Sequence, residues 1–192
     1  VIKKIVKESL ELKIKYLTFF SFSTENWNRK SFEVKELQNL LEFYLESEKK
    51  SFVEKKINFR VIGDIEKFDT NIKNKIRDLK SITSSYSNLY FILALSYGSR
   101  QEILNAIKKI DKKNLKNISE RDIISNLMTG KIPDPDLVIR TSGEKRLSNF
   151  LLWQIAYSEL FFTKTLWPDF STQKYKMALK DYINRRRRFG GD

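Results

Sequence analysis

The chain has 192 residues and a formal net charge of +13, from 37 Lys and Arg against 24 Asp and Glu, with neither cysteine nor histidine. This composition excludes disulfides, thiolate nucleophiles, imidazole bases and the usual zinc sites, and leaves a hard ion, magnesium first, as the metal open to it. With 41% hydrophobic and 32% charged residues, it reads as one soluble α/β domain over residues 1–192; no apolar run reaches the roughly 20 residues that cross a bilayer, no signal peptide is visible, and a cytoplasmic location is expected.

The elements follow in chain order. Val1, Ile2, Ile5, Val6 and Leu10 recur at helical spacing, and KYLTFFSF, residues 15–22, is a β-rich run of strand length. Ser31 is placed to cap a long helix through about residue 50, with Glu33 near its positive end and Val34, Leu37, Leu41, Tyr44 and Leu45 along one face. INFRVI, residues 57–62, is the next strand, ended by Gly63-Asp64, and a helix follows to about Ile82. LYFILAL, residues 89–95, is almost continuously apolar, the pattern of a central strand buried on both faces. SYGSR leads into a helix, a weaker helix lies around 119–128, DPDLVIR supplies another strand, and a helix is expected from near Ser148. A short strand at 160–163 and a helix over roughly 171–188 complete the chain before RRRRFGG.

Strands alternating with helices imply a mostly parallel sheet covered on both faces, with ligands beyond the carboxyl ends of the strands. Three such ends carry polar motifs: SFSTENWNR, SYGSR and RTSGEKRLSN. Arg29, Arg100, Arg140 and Arg146 each follow a predicted strand, and converging guanidinium forks suit a diphosphate, although any one of them alone reads as a surface arginine. Ser148 and the amides at the start of its expected helix would add donors and a positive dipole end. Ser23 and Asn26 fit either a local cap or a reactive edge, with Trp27 as a wall where an apolar group meets an anion. Glu159, inside the apolar stretch IAYSELFF, is either structurally paired or a magnesium ligand. The wide face of the 31–50 helix and the 89–95 strand either pack as plain core or line a channel for an apolar tail. The positive charge calls for an anionic partner, but the lysines are spread along helix-like faces, and no basic stripe interleaved with aromatics supports nucleic-acid binding.

FSFSTENWNR with the following EV, then IGD, SYGSR, PDLVIRTSGEKRLSNFLLWQIAYSELFF, LWPDF and RRFGG together resemble the cis-prenyltransferases, and among them the bacterial polyprenyl diphosphate synthases, from about residue 1 to the C-terminus. The resemblance implies a six-stranded, mostly parallel sheet flanked by helices around an apolar tunnel, walled by Leu89 to Leu95, and a homodimer. It implies condensation of isopentenyl diphosphate onto an allylic diphosphate such as farnesyl diphosphate, in cis geometry and with magnesium, to make a lipid-carrier precursor for cell-wall synthesis, with peripheral membrane contact through the lipid product. Matched position by position, Arg140, Arg146 and Ser148 would bind isopentenyl diphosphate; Ser23 and Asn26 would sit at the reacting centre; Trp27 and Arg29 would line the substrate site, supported by Glu33. Glu159 would contribute to magnesium binding, and Arg188 and Gly190 would reach the partner subunit's site. Two departures stand out. The family's first strand, with its loop Met-Asp-Gly-Asn-Gly-Arg and magnesium-binding aspartate, has no counterpart, so the chain reads as N-terminally incomplete. Lys145 stands where some members carry a histidine, and an ammonium coordinates no metal. The competing expectation is a non-catalytic subunit that stabilises an active partner.

Overall fold

The computed structural model describes residues 1–111 and 117–186. Helix α1 (Ile2–Glu11) turns Ile5 and Val6 inward and ends where Lys13 adopts a left-handed φ of 57°. Strand β1 (Tyr16–Ser23) runs into a 3-10 turn (Thr24–Asn28), and α2 (Ser31–Glu54) follows. Ser31 does not cap α2 as expected: Lys30 holds the cap position and no side-chain capping bond is made. Then come β2 (Ile57–Ile62), α3 (Thr70–Ile82), β3 (Leu89–Tyr97), α4 (Ser99–Lys109), α5 (Glu120–Asn126), β4 (Leu137–Arg140), β5 (Glu159–Phe162), a second 3-10 turn (Trp167–Asp169) and α6 (Thr172–Asn184).

The α/β architecture is the expected one, and every pairing among the described residues is parallel. Five strands lie among the described residues, divided into a three-stranded sheet ordered β1-β3-β2 and a two-stranded sheet β4-β5. β3 takes the centre because its side chains are apolar on both faces. Phe91, Leu93 and Leu95 point into a cluster with Phe52, Phe59 and Leu45, while Ile92 and Ala94 face Leu151 and Ile155. Phe20 and Phe22 share parity along β1 yet enter opposite clusters, since the β1–β3 register shifts between them. The space against β3 is filled by rings: Phe91 meets Phe52 at 5.2 Å, Phe19 at 5.4 Å and Phe59 at 6.1 Å, with Tyr44 at 6.3 Å. β3 itself packs here as core, whereas Leu40 and Phe43, which widen the apolar face of α2, are exposed.

The two sheets share their apolar layers. Leu17 and Phe19 of β1 and Ile139 of β4 pack on one cluster; Phe20 and Val138 pack on another. Among the described residues β1 and β4 nevertheless each pair with one neighbour only.

The helix expected from Ser148 is a correction. Residues 148–157 form a succession of turns, because Ser148, Asn149 and Leu151 take left-handed φ values of 50°, 62° and 46°. A right-handed helix cannot pass through three such residues, so the dipole end expected beside Ser148 does not exist.

Candidate active site

The site is built where β1, β3 and β4 end. After β1, Ser23 and Asn26 close a reciprocal cap: the Ser23 N–H donates to Asn26 Oδ1 at 2.7 Å, and the Ser23 hydroxyl accepts from the Asn26 backbone. This is the local role the sequence left open, and it fixes the turn that carries Glu25 and Trp27. The Trp27 indole donates to Ser96 Oγ at 2.9 Å and packs on Phe22 and Phe68 with centroids at 4.8 and 5.0 Å, so its ring belongs to the core as much as to any wall. Arg29 and Glu33 pair with each other at 3.5 Å at the exposed start of α2.

After β3 the chain enters α4 directly. Gly98 holds the cap position without a side chain to offer, and the first amides of α4 are taken by another segment: the Ser99 N–H donates to the Asn149 carbonyl at 2.8 Å and the Arg100 N–H to Asn149 Oδ1 at 2.9 Å. Further along α4, buried Glu102 accepts from the Tyr97 hydroxyl at 2.5 Å, Gln154 Nε2 at 2.9 Å and the Met128 N–H at 2.9 Å, which anchors the helix to both flanking segments. Burial, then the Glu102 carboxylate, push the Tyr97 hydroxyl up, so it remains a donor.

After β4, Arg140 ends the strand with its Nε buried and without a hydrogen-bond partner. Arg146 pairs with Glu144, and Lys145 is exposed. Ser148 lies beside Asn149 in the left-handed turn and, with Glu25, Arg100 and Gln101, lines a cavity of about 380 Å³. A larger cavity, about 490 Å³, lies along the outer edge of β2 near Arg60, Lys80 and Lys131, where none of the strand-end motifs reaches. Residues of the strand-end motifs line the smaller one.

The Glu25 carboxyl is buried enough to be raised, but its own backbone N–H, Asn149, Ser23 and Thr24 donate to it and hold it below the ordinary carboxylate range. Glu159 sits at the start of β5 with its carboxylate on Arg185 Nη1 at 2.6 Å, the paired state foreseen as one of its two readings. Hydrogen bonding to Glu159 in turn raises the Arg185 guanidinium further. Among the described residues no group of three or more Asp and Glu converges to hold a metal ion. Arg188 and Gly190 lie outside the described residues.

Sequence reasoning brought Ser148 and Arg100 to one edge and missed Glu25, Gln101 and the part played by Asn149. The available signal was Gly98: a Cβ there would come within 2.5 Å of Gln101 Oε1 and 2.7 Å of both Asn149 Nδ2 and Thr24 Oγ1, so glycine marks the point where the three segments meet.

A family model described as putative undecaprenyl diphosphate synthase matches residues 1–190. The chain belongs to the cis-prenyltransferase family. It is 46% identical to an isoprenyl transferase of Helicobacter hepaticus, over 100% of this chain and 84% of that protein. It is 44% identical to a ditrans,polycis-undecaprenyl-diphosphate synthase, (2E,6E)-farnesyl-diphosphate specific, of Buchnera aphidicola, over 99% of this chain and 78% of that one. Among solved structures, lavandulyl diphosphate synthase from Lavandula x intermedia in complex with dimethylallyl diphosphate superposes with a TM-score of 0.94 at 37% identity, covering 98% of this chain and 84% of that one. A probable undecaprenyl diphosphate synthase from Campylobacter jejuni superposes with a TM-score of 0.91 at 35% identity, covering 98% and 89%. As a cis-prenyltransferase of this similarity, the protein has a prenyl transferase function.

Proposed function

We propose that the protein condenses isopentenyl diphosphate onto farnesyl diphosphate, adding units in cis geometry to make a polyprenyl diphosphate of undecaprenyl type, a carrier-lipid precursor for cell-wall synthesis. The observation that carries this reading is the convergence of the ends of β1 and β3 and the segment after β4 on one cavity with Arg100 and Ser148 at its rim. In the reaction, the allylic C1–O bond breaks with its electron pair leaving on diphosphate, the isopentenyl double bond attacks C1, and the resulting cation loses a proton. Arg140, Arg146 and Ser148 hold the isopentenyl diphosphate. The buried, unpartnered Nε of Arg140 supports its part in this, as a donor kept for an anion that is not protein. Ser23 and Asn26 frame the reacting centre, with Arg29, Glu33 and Trp27 behind them.

Magnesium belongs to this proposal through the family's chemistry, with Glu159, which Arg185 engages in this structure, as the carboxylate that would contribute to it. Among the described residues β1 and β4 each keep one unpaired edge, and the two strands share apolar clusters on both faces. Homodimer formation fits the exposed apolar side chains Tyr157, Leu166, Met177 and Ile183 on and around α6. A cytoplasmic enzyme touching the membrane only through its product is consistent with the described residues, in which no helix is long and apolar enough to cross one.

The test is incorporation of labelled isopentenyl diphosphate with farnesyl diphosphate and magnesium by the protein's full reading frame. A ladder of long prenyl products is expected, and no incorporation overturns the proposal. The alternative, a non-catalytic subunit that stabilises an active prenyltransferase, is favoured only by the lack of a carboxylate cluster among the described residues; it predicts no incorporation alone and stimulation of an added active partner.

A further inference from the structure

We propose that Asn149 is a positioning residue: its one side chain ties together the segments that follow β1, β3 and β4 and so sets the spacing between Ser148, which holds the isopentenyl diphosphate, and the turn that frames the reacting centre. The inference rests on the prenyl-transfer reading above and adds to it the device that keeps the site in register.

The geometry is compact. Asn149 Oδ1 accepts from the Arg100 N–H at 2.9 Å, and Nδ2 donates to Glu25 Oε1 at 3.1 Å and Gln101 Oε1 at 3.3 Å. Its backbone carbonyl accepts from the Ser99 N–H at 2.8 Å. Glu25 is 124 residues away in sequence and Gln101 is 48, so nothing local holds these groups together. The neighbouring Leu152 N–H donates to Ser99 Oγ at 2.9 Å, which sets the same loop on the same helix start. Ser148, the proposed diphosphate donor, immediately precedes Asn149, and both residues are left-handed. Moving the amide therefore moves Ser148. On the other side, Glu25 lies between Ser23 and Asn26 in the turn that frames the reacting centre. An amide suits this junction because it accepts on one atom and donates twice on the other; a carboxylate there would face Glu25 with a second negative charge. Gln101 can turn its amide to donate instead, but Glu25 when ionised has no such option.

The test uses the full reading frame. Asn149→Asp is expected to raise the KM for isopentenyl diphosphate about tenfold, with kcat changing less, and the defect is expected to shrink as the pH falls and a proton is shared between the introduced carboxylate and Glu25. The double variant Glu25→Gln with Asn149→Asp exchanges donor and acceptor, and is expected to return KM to within about threefold of the parent. Asn149→Gly removes the amide while tolerating the left-handed backbone, so it reads the loss without strain or charge if the aspartate variant does not fold, and a similar tenfold rise is expected. A role in stability alone would lower the melting temperature and leave KM, measured well below it, and its pH profile unmoved. KM within twofold of the parent in the single variants, or a double variant as impaired as Asn149→Asp, overturns the proposal. If the parent protein incorporates no isopentenyl diphosphate, the prenyl-transfer reading fails by itself, and the tie is judged by calorimetry with inorganic pyrophosphate. Affinity weakened about tenfold in the single variants and restored in the double supports it; unchanged affinity, or no binding to the parent, overturns it.

Discussion

Replacing Gly63 with alanine tests how tightly β2 is locked to the end of β3. Gly63 has φ +109°, and a Cβ built on it would lie 1.9 Å from the Leu95 carbonyl oxygen and 2.9 Å from its carbonyl carbon. Both are backbone atoms of the central strand, so no side chain can rotate aside. Backbone strain of this kind costs about 1–3 kcal/mol, and forced overpacking adds about 1–3 kcal/mol. The expected loss of roughly 2–6 kcal/mol corresponds, at about 2–4 °C per kcal/mol for a chain of this size, to a fall in melting temperature of about 4–24 °C. Gly143→Ala is the control: its φ is +72°, but the nearest atom to its Cβ is Lys164 Cα at 3.9 Å, so it carries strain without collision. Differential scanning calorimetry of the two variants beside the parent separates the terms. A melting temperature for Gly63→Ala no lower than that of Gly143→Ala would refute the argument that backbone collision dominates.

Phe91→Ala removes a ring that is 0% exposed and in contact with four others, and is expected to cost about 3–5 kcal/mol, read as a lower urea midpoint at unchanged slope. Because Glu25 is held below its ordinary value of 4.5, the hydrogen bonds to its carboxylate contribute stability that is fully present above that value and is lost as the pH falls through the lower folded one. Urea unfolding followed from about pH 6 to 3 should therefore show a loss in the parent that is smaller in Glu25→Gln; equal slopes would contradict the assignment. Arg140→Gln should weaken use of isopentenyl diphosphate about 10–150-fold in steady-state kinetics, the worth of charge-assisted hydrogen bonds, without lowering the melting temperature, since the Nε it removes has no protein partner.

The strands were legible because their patterns are extreme. LYFILAL is apolar at every position, and only a strand covered on both faces accommodates that. The turn after β1 was legible in part, since Ser23 and Asn26 carry a capping pattern within four residues. The segment after Ser148 misled for a physical reason. NFLLWQIAY has the apolar content of a buried helix, and left-handed backbone at Ser148, Asn149 and Leu151 leaves no mark on hydrophobic periodicity. The same holds for Asn149 and Glu159. What each does depends on partners that folding delivers from elsewhere: Glu25 and Gln101 for the first, Arg185 just after α6 for the second.

The order β1-β3-β2 also has a consequence for how the chain is made. β1 and β2 are successive in sequence, yet neither pairs with the other; each waits for β3. At usual synthesis rates, the interval between completion of β1 at Ser23 and of β3 at Tyr97 is roughly 4–15 s. Throughout it, the run Leu17, Phe19, Phe20 and Phe22 lacks β3, the strand it pairs with in the fold. On a ribosome this places the N-terminal third among the segments that need chaperone cover, and substitutions that slow β3 should show first as lost soluble yield, before any change in the folded protein.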